Sequence, residues 1–207
     1  MIARPDAPAG VLFTGPEDGD MRRDAAARRR VSTRHSVPAE WATVSQVHGN
    51  QVRLVDAPGL AGEGDALVTT RPGLGVAVFT ADCLGVVLVG DGGVGVAHAG
   101  WRGLAAGVLE ATVETMTEAG IDPRHGSVGP GIGPCCFEVG DEVAERFPDD
   151  RAETTWGARS VDLRAAARRR LGGIPVEVDA RCTACQGGPS HRHTGTSARM
   201  AAIGWLR

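Results

Sequence analysis

The sequence has no lysine and no tyrosine, and all 22 of its basic residues are arginine. Without lysine, Schiff-base catalysis and the lysine-dependent phosphate loop are excluded. Without tyrosine, no phenol can act as acid or base. No apolar run approaches the roughly 20 residues needed to span a bilayer, so no membrane partner is expected. The formal net charge of −3 gives no basic footprint, so nucleic acid is not an expected partner either. The first residues, 1–5, carry no apolar stretch of the signal-peptide type, and a cytoplasmic location is the expectation. The cysteine count is odd, at five, which argues against a disulfide framework. The reactive groups that remain are His, Cys, Asp, Glu and Arg, together with any metal they hold.

A chain of 207 residues is long enough for one sizeable core, and a single catalytic domain over 1–207 is expected. Short β-rich runs are predicted at 10–14, 66–70, 75–79, 85–89 and 94–97. Their Val and Leu content, with little polar alternation, suits strands buried on both faces. Residues 41–47 and 51–55 read as a strand pair around the turn His48-Gly49-Asn50. An Ala/Arg-rich helix is expected over 20–34, after a turn at 16–20. From 103 to 119 the period changes: Leu104, Val108, Ala111, Thr112 and Met116 recur at helical spacing, and Gly120 closes the helix. Shorter helices are predicted at 141–147 and 162–171, with late strands at 176–178 and 200–206. The fold class is therefore mixed α/β, a layered sandwich of mixed sheets covered by helices. Strand order is not readable from these runs.

Three segments place a reactive side chain at the end of a predicted strand. His48 sits on a turn, where a rigid sheet commonly carries functional groups. Cys83 follows Thr80-Ala81-Asp82; taken alone it is equally a small buried residue, and Asp82 a turn former. His98 leads through Ala99-Gly100-Trp101-Arg102-Gly103 into the long helix. A strand, a small-residue turn and a helix start expose backbone donors, and Arg102 there would add a forked donor for phosphate or carboxylate. Two imidazoles and one thiolate make a good zinc set, and three protein ligands leave an open position of the catalytic type. The candidate fourth ligands are Cys135, Cys136, Cys182 and Cys185. The Cys182-Thr183-Ala184-Cys185 spacing suits half a structural zinc site or a redox pair, but no second such pair accompanies it.

Gln46-Val47-His48-Gly49, Gly64-Asp65-Ala66-Leu67-Val68-Thr69, Thr80-Ala81-Asp82-Cys83 and His98-Ala99-Gly100-Trp101-Arg102-Gly103 resemble the YfiH/YlmD-like laccase-domain, or polyphenol oxidase, family. Gly129-Pro130-Gly131-Ile132-Gly133-Pro134-Cys135-Cys136-Phe137-Glu138-Val139-Gly140 is similar to its next signature, and Arg181-Cys182-Thr183 and Arg199-Met200-Ala201 match further on. The resemblance implies a mixed α/β sandwich with zinc held by His48, Cys83 and His98. It also implies phosphorolysis of purine nucleosides such as adenosine, inosine and methylthioadenosine, with adenosine deamination beside it. The laccase label reflects an assignment to copper oxidase chemistry, which makes copper the alternative cofactor. The sequence departs from the family in two places. The Ser-Leu-Asn-Leu-Gly-type segment is not recognisable between Phe13 and Gly19, and the usual aromatic-rich stretch near the C-terminus reads Gly188-Pro189-Ser190-His191-Arg192-His193.

On this reading the partners are a purine nucleoside and phosphate. Arg102 would bind phosphate, with Arg192 a second candidate, and zinc would orient phosphate or polarise an oxygen. Asp82 would carry a proton or accept a hydrogen bond from a ligand histidine. Three other chemistries compete. A multicopper oxidase needs more histidines than the six present. A metal-free hydrolase would use Cys83 as nucleophile with His48 or His98 as base. A cytidine-deaminase-type site would need His-x-Glu and Pro-Cys-x-x-Cys signatures, which are absent. A zinc-stabilised binding module is the non-catalytic reading.

Overall fold

The computed structural model describes residues 9–207; the 1–5 stretch lies outside the described residues. Two mixed sheets stack face to face. The five-stranded sheet runs in the order β1 (Ala9–Phe13), β13 (Met200–Leu206), β6 (Gly75–Thr80), β2 (Trp41–Ser45), β4 (Gly59–Glu63). The six-stranded sheet runs β12 (Val176–Val178), β9 (Pro123–Val128), β7 (Leu84–Gly90), β8 (Gly93–Ala99), β5 (Ala66–Thr69), β3 (Val52–Leu54). A small ribbon pairs β10 (Arg151–Glu153) with β11 (Arg159–Val161).

The period of two along each strand sorts the core into layers. On β7, Val87 faces the other sheet, while Leu84, Val86 and Leu88 face the helices. On β13, Ala202 and Leu206 point between the sheets, and Ala201, Ile203 and Trp205 point outward. The outward face is covered by α1 (Ala25–His35) through Ala27 and Val31. The far face of the six-stranded sheet is covered by α3 (Val108–Glu118) and α5 (Leu163–Arg170) through Val108, Met116, Leu163 and Ala167. Each fully buried Leu, Val or Met contributes about 1.5–3 kcal/mol of transfer free energy. Two glycines let the sheets approach: a Cβ at Gly204 would lie 2.5 Å from Val94 Cγ2, and one at Gly85 would lie 2.3 Å from Ala202 Cβ. The layered, helix-covered mixed sandwich agrees with the fold class expected from the sequence.

Several elements differ from expectation. Residues 41–47 and 51–55 do not form a pair. β2 bonds to β4 and β6, and β3 bonds to β5 in the other sheet. The chain weaves: β2, β4 and β6 lie in the five-stranded sheet, while β3, β5 and β7 lie in the six-stranded one. The helix expected from residue 20 begins at Ala25, because Asp20 closes a turn by accepting from the Arg22 N–H, and Asp24 caps the Ala26 and Ala27 N–H groups. The predicted 103–119 helix is two, α2 (Trp101–Ala105) and α3, separated by Gly107 at φ 84°. The 141–147 helix is confined to α4 (Asp141–Ala144). Strands β4, β9, β10 and β11 and the short α6 (His191–Thr194) were not expected.

Candidate metal centre and substrate cleft

The three passages from the five-stranded to the six-stranded sheet gather at one end of the sandwich. Between β2 and β3 the passage carries His48, between β4 and β5 it carries Asp65, and between β6 and β7 it carries Asp82 and Cys83. His98 arrives on β8, where it sits opposite Gly85. His48 and Asp82 hold positive φ, 63° and 82°, a conformation that side chains adopt at a cost and that recurs at functional sites.

His48, Cys83 and His98 each bring one ligand atom to within 4.8 Å of the others. The two imidazoles meet edge to face, with ring centroids 4.8 Å apart. His98 is buried, Cys83 half-buried and His48 exposed, so the group opens to one side.

Fully buried Asp65 fastens this arrangement. Its Oδ1 lies 2.8 Å from His98 Nδ1 and accepts the His48 N–H at 2.9 Å. Its Oδ2 accepts the N–H groups of Val47 at 3.1 Å and Gly49 at 2.7 Å. Burial works against its charge, but the bonds from His98, Gly49 and Val47 outweigh burial and hold the carboxyl below its usual range. Gln46 completes the turn by taking the place of a strand: its Nε2 donates to Phe79 O and its Oε1 accepts the Phe79 N–H, both at 2.8 Å. The turn thus docks on β6 and on Asp65 instead of on β3, which is why it makes no hairpin.

Burial also disfavours charge on His98, yet its bonds with Asp65 and Cys83 prevail and raise the imidazole to about 9. For Cys83, burial raises the thiol, but bonds with His48 and His98 overcome it and bring it down to about 6. Both shifts favour the thiolate and the imidazolium over the neutral pair. The donor set fits a zinc ion: one thiolate, two imidazoles, and a His98 ring whose Nδ1 is already committed to a carboxylate, leaving Nε2 as the donor. Gly100 makes room, since a Cβ there would stand 2.7 Å from Cys83 Sγ.

Asp82 lines the cleft but is not the hydrogen-bond partner of either histidine. Its Oδ1 accepts from Thr183 Oγ1 and its Oδ2 from the Arg192 N–H, both at 2.7 Å. The acceptor behind His98 is Asp65, to which the sequence alone assigns no role. A charged residue directly before a wholly apolar run was its available signal, since a buried acid needs partners. Cys135, Cys136, Cys182 and Cys185, the candidate fourth ligands, form a separate group of their own.

A cleft of about 320 Å³ opens in front of the trio, lined among others by Phe79, Trp101, Phe137, Arg22, Arg102, Arg192 and Arg199. Arg102 is exposed, its guanidinium 4.3 Å from the centre of the Trp101 ring. Arg192 lies 5.4 Å over the Phe137 ring and donates to Glu138 O at 3.1 Å. Among the described residues, none of these four arginines is ion-paired with a carboxylate. The aromatic lining of the cleft comes from Phe79, Trp101 and Phe137, none of them in the 188–193 stretch.

Residues 7–207 match the family model described as multi-copper polyphenol oxidoreductase laccase. The chain belongs to this laccase-domain family. Among its relatives, a Streptomyces griseus protein named purine nucleoside phosphorylase is 38% identical, over 97% of this chain and 89% of its own length. The Escherichia coli (strain K12) protein named purine nucleoside phosphorylase YfiH is 37% identical, over 86% of this chain and 79% of its own. The crystal structure of YlmD from Geobacillus stearothermophilus superposes on this laccase-domain chain with a TM-score of 0.84 at 31% identity, covering 99% of this chain and 94% of that one. Among the described residues no helix is long and apolar enough to cross a membrane.

Proposed function

We propose that this laccase-domain protein is a zinc-dependent purine nucleoside phosphorylase acting as one catalytic domain in the cytoplasm, with adenosine, inosine and methylthioadenosine as substrates and adenosine deamination as a side activity. The observation that carries the reading is the meeting, in one cleft, of the His48, Cys83 and His98 donors with unpaired arginines and aromatic rings. The names of the relatives point the same way.

Phosphorolysis joins a phosphate oxygen to the anomeric carbon while the glycosidic C–N bond breaks; its electron pair stays on the purine, which takes up a proton. Phosphate needs guanidinium donors, and Arg102, free of any carboxylate, supplies a fork at the mouth of the cleft, with Arg192 as the second. The purine needs flat apolar faces, which Trp101, Phe79 and Phe137 offer. Asp82 acts as a positioning residue, holding Thr183 and the start of α6 so that Arg192 reaches the cleft. Zinc held by His48, Cys83 and His98 would supply Lewis-acid polarisation of a substrate or water oxygen. Asp65 keeps His98 oriented and the His48 turn closed.

The copper reading would use the same soft donors, but a multicopper centre needs further clustered histidines, and none is found among the described residues. A metal-free Cys/His hydrolase has one observation in its favour, the Cys83 thiol brought to about 6 beside two imidazoles. Incubating zinc-loaded protein with each nucleoside, with and without phosphate, separates the readings. Free base and sugar 1-phosphate that form only with phosphate support phosphorolysis. Turnover by metal-stripped protein would favour the hydrolase.

A further inference from the structure

The cysteine group outside the catalytic cleft has its own chemistry. Cys135 and Cys136 stand in the segment after β9, and Cys182 and Cys185 in the segment after β12. Their four Sγ atoms all lie within 4.8 Å of one another, and no histidine or carboxylate belongs to the group. All four thiols are free. Cys135 Sγ and Cys185 Sγ are 3.8 Å apart. A disulfide requires about 2.05 Å, whereas sulfurs around a tetrahedral zinc, at about 2.3 Å from the ion, stand roughly 3.8 Å from one another.

Backbone and side-chain bonds hold the two segments together around the thiols. Gly131 bridges Cys182, and the Thr183 N–H donates to Gly131 O at 3.0 Å. The Gly133 N–H points at Cys182 Sγ at 3.2 Å, and the Cys182 N–H is held by Gln186 Oε1 at 2.7 Å. A second, independent observation is Arg164. Its side chain is buried and its Nη2 donates to Gly131 O and Arg181 O; among the described residues no carboxylate pairs with it and its Nε has no partner. A Cβ on Gly133 would meet Arg164 Nη1 at 3.0 Å and Cys135 Sγ at 3.1 Å, so guanidinium and thiol flank the same glycine. A buried cation without a counter-charge is costly. Four thiolates around one divalent ion carry two net negative charges and would supply that counter-charge.

We propose that Cys135, Cys136, Cys182 and Cys185 bind a second zinc ion in a closed tetrathiolate site. Its ligand number marks it as structural. It joins the segment that bears Phe137 to the segment that bears Arg192, two walls of the substrate cleft. The sequence shows only the Cys182/Cys185 half as a spaced pair; the adjacent Cys135-Cys136 supplies the other.

The test is metal analysis of protein purified from zinc-supplemented cells. Wild type should carry about two zinc ions per chain. Cys83→Ser should keep the second ion, and Cys185→Ser, at the exposed edge, should lose it while keeping the first. Cobalt loaded into Cys83→Ser should give the intense sulfur-to-metal absorption of four thiolates. As a check free of any variant, alkylation of native wild type should leave all four cysteines unlabelled until a chelator is added. A single zinc that disappears in Cys83→Ser, free labelling of the four thiols in zinc-loaded protein, a disulfide among them, or iron in place of zinc would each overturn the proposal.

Discussion

Asp65 Oδ1 and His98 Nδ1 lie 2.8 Å apart, and the same carboxylate accepts three N–H groups from the turn that carries His48. One side chain therefore orients one candidate ligand and positions the backbone of another. Asp65→Asn keeps the shape but loses the charge and part of the acceptor capacity. Zinc affinity should fall about 10- to 100-fold, the usual cost of losing such a partner. Competition with a chromophoric chelator measures this, and unchanged affinity would remove Asp65 from the site.

The Cys83 thiol should ionise early. In metal-stripped protein its alkylation rate should rise with pH through about 6, well under the roughly 8.5 of a free cysteine. The direction follows from the bonds to His48 and His98, which favour the thiolate over the thiol. In Asp65→Asn the imidazolium loses its partner, so the midpoint should move up. Zinc should suppress the reaction at every pH above 6, where the ligand is bound. A wild-type midpoint near 8.5 would mean that no such ion pair exists.

Gly100 is expected to be indispensable for steric reasons alone. Its φ of −71° suits alanine, but the added Cβ would stand 2.7 Å from Cys83 Sγ. Gly100→Ala should fold normally by circular dichroism and bind zinc about tenfold or more weakly, as with other disturbances of ligand orientation. Zinc affinity equal to wild type would show that the thiol is placed elsewhere.

Arg102→Lys keeps the charge and removes the planar fork. A charge-assisted hydrogen bond is worth about 1.5–3 kcal/mol, so the apparent KM for phosphate should rise about 10- to 100-fold with zinc still bound. Deamination uses water, not phosphate, and should be largely spared. Equal loss of both reactions would make Arg102 a nucleoside-orienting residue and send the phosphate site to Arg192.

The layers were legible because the strands buried on both faces, such as β7, read as short unbroken Val/Leu runs, and because the helical period survives in Val108, Thr112 and Met116 of α3. Sheet membership was not. The runs around His48 look like a hairpin because their partners, β6 and β5, are distant in sequence. The break at Gly107 is also invisible, since the apolar spacing from Leu104 to Val108 continues across it. The gathering of His48, Cys83 and His98 follows the chemistry of their side chains, but the buried role of Asp65 depends on three N–H groups that no pattern displays. The cysteine quartet was half visible, because two adjacent residues do not read as a spaced ligand pair.

The weaving of β2 to β7 has a consequence for how the chain reaches its native state. Apart from the β7–β8 hairpin, no paired strands of the two large sheets are consecutive in the chain, so neither sheet can be completed while the other is still open. Contacts of this kind close large loops before they are rewarded, which slows folding. The residues on the passages meet only when both sheets have found their register. A partly folded chain, whatever its helix content, would therefore hold its thiolate and imidazoles apart. High-affinity metal capture by His48, Cys83 and His98 would be among the last events of folding, and it would mark the molecules that have finished.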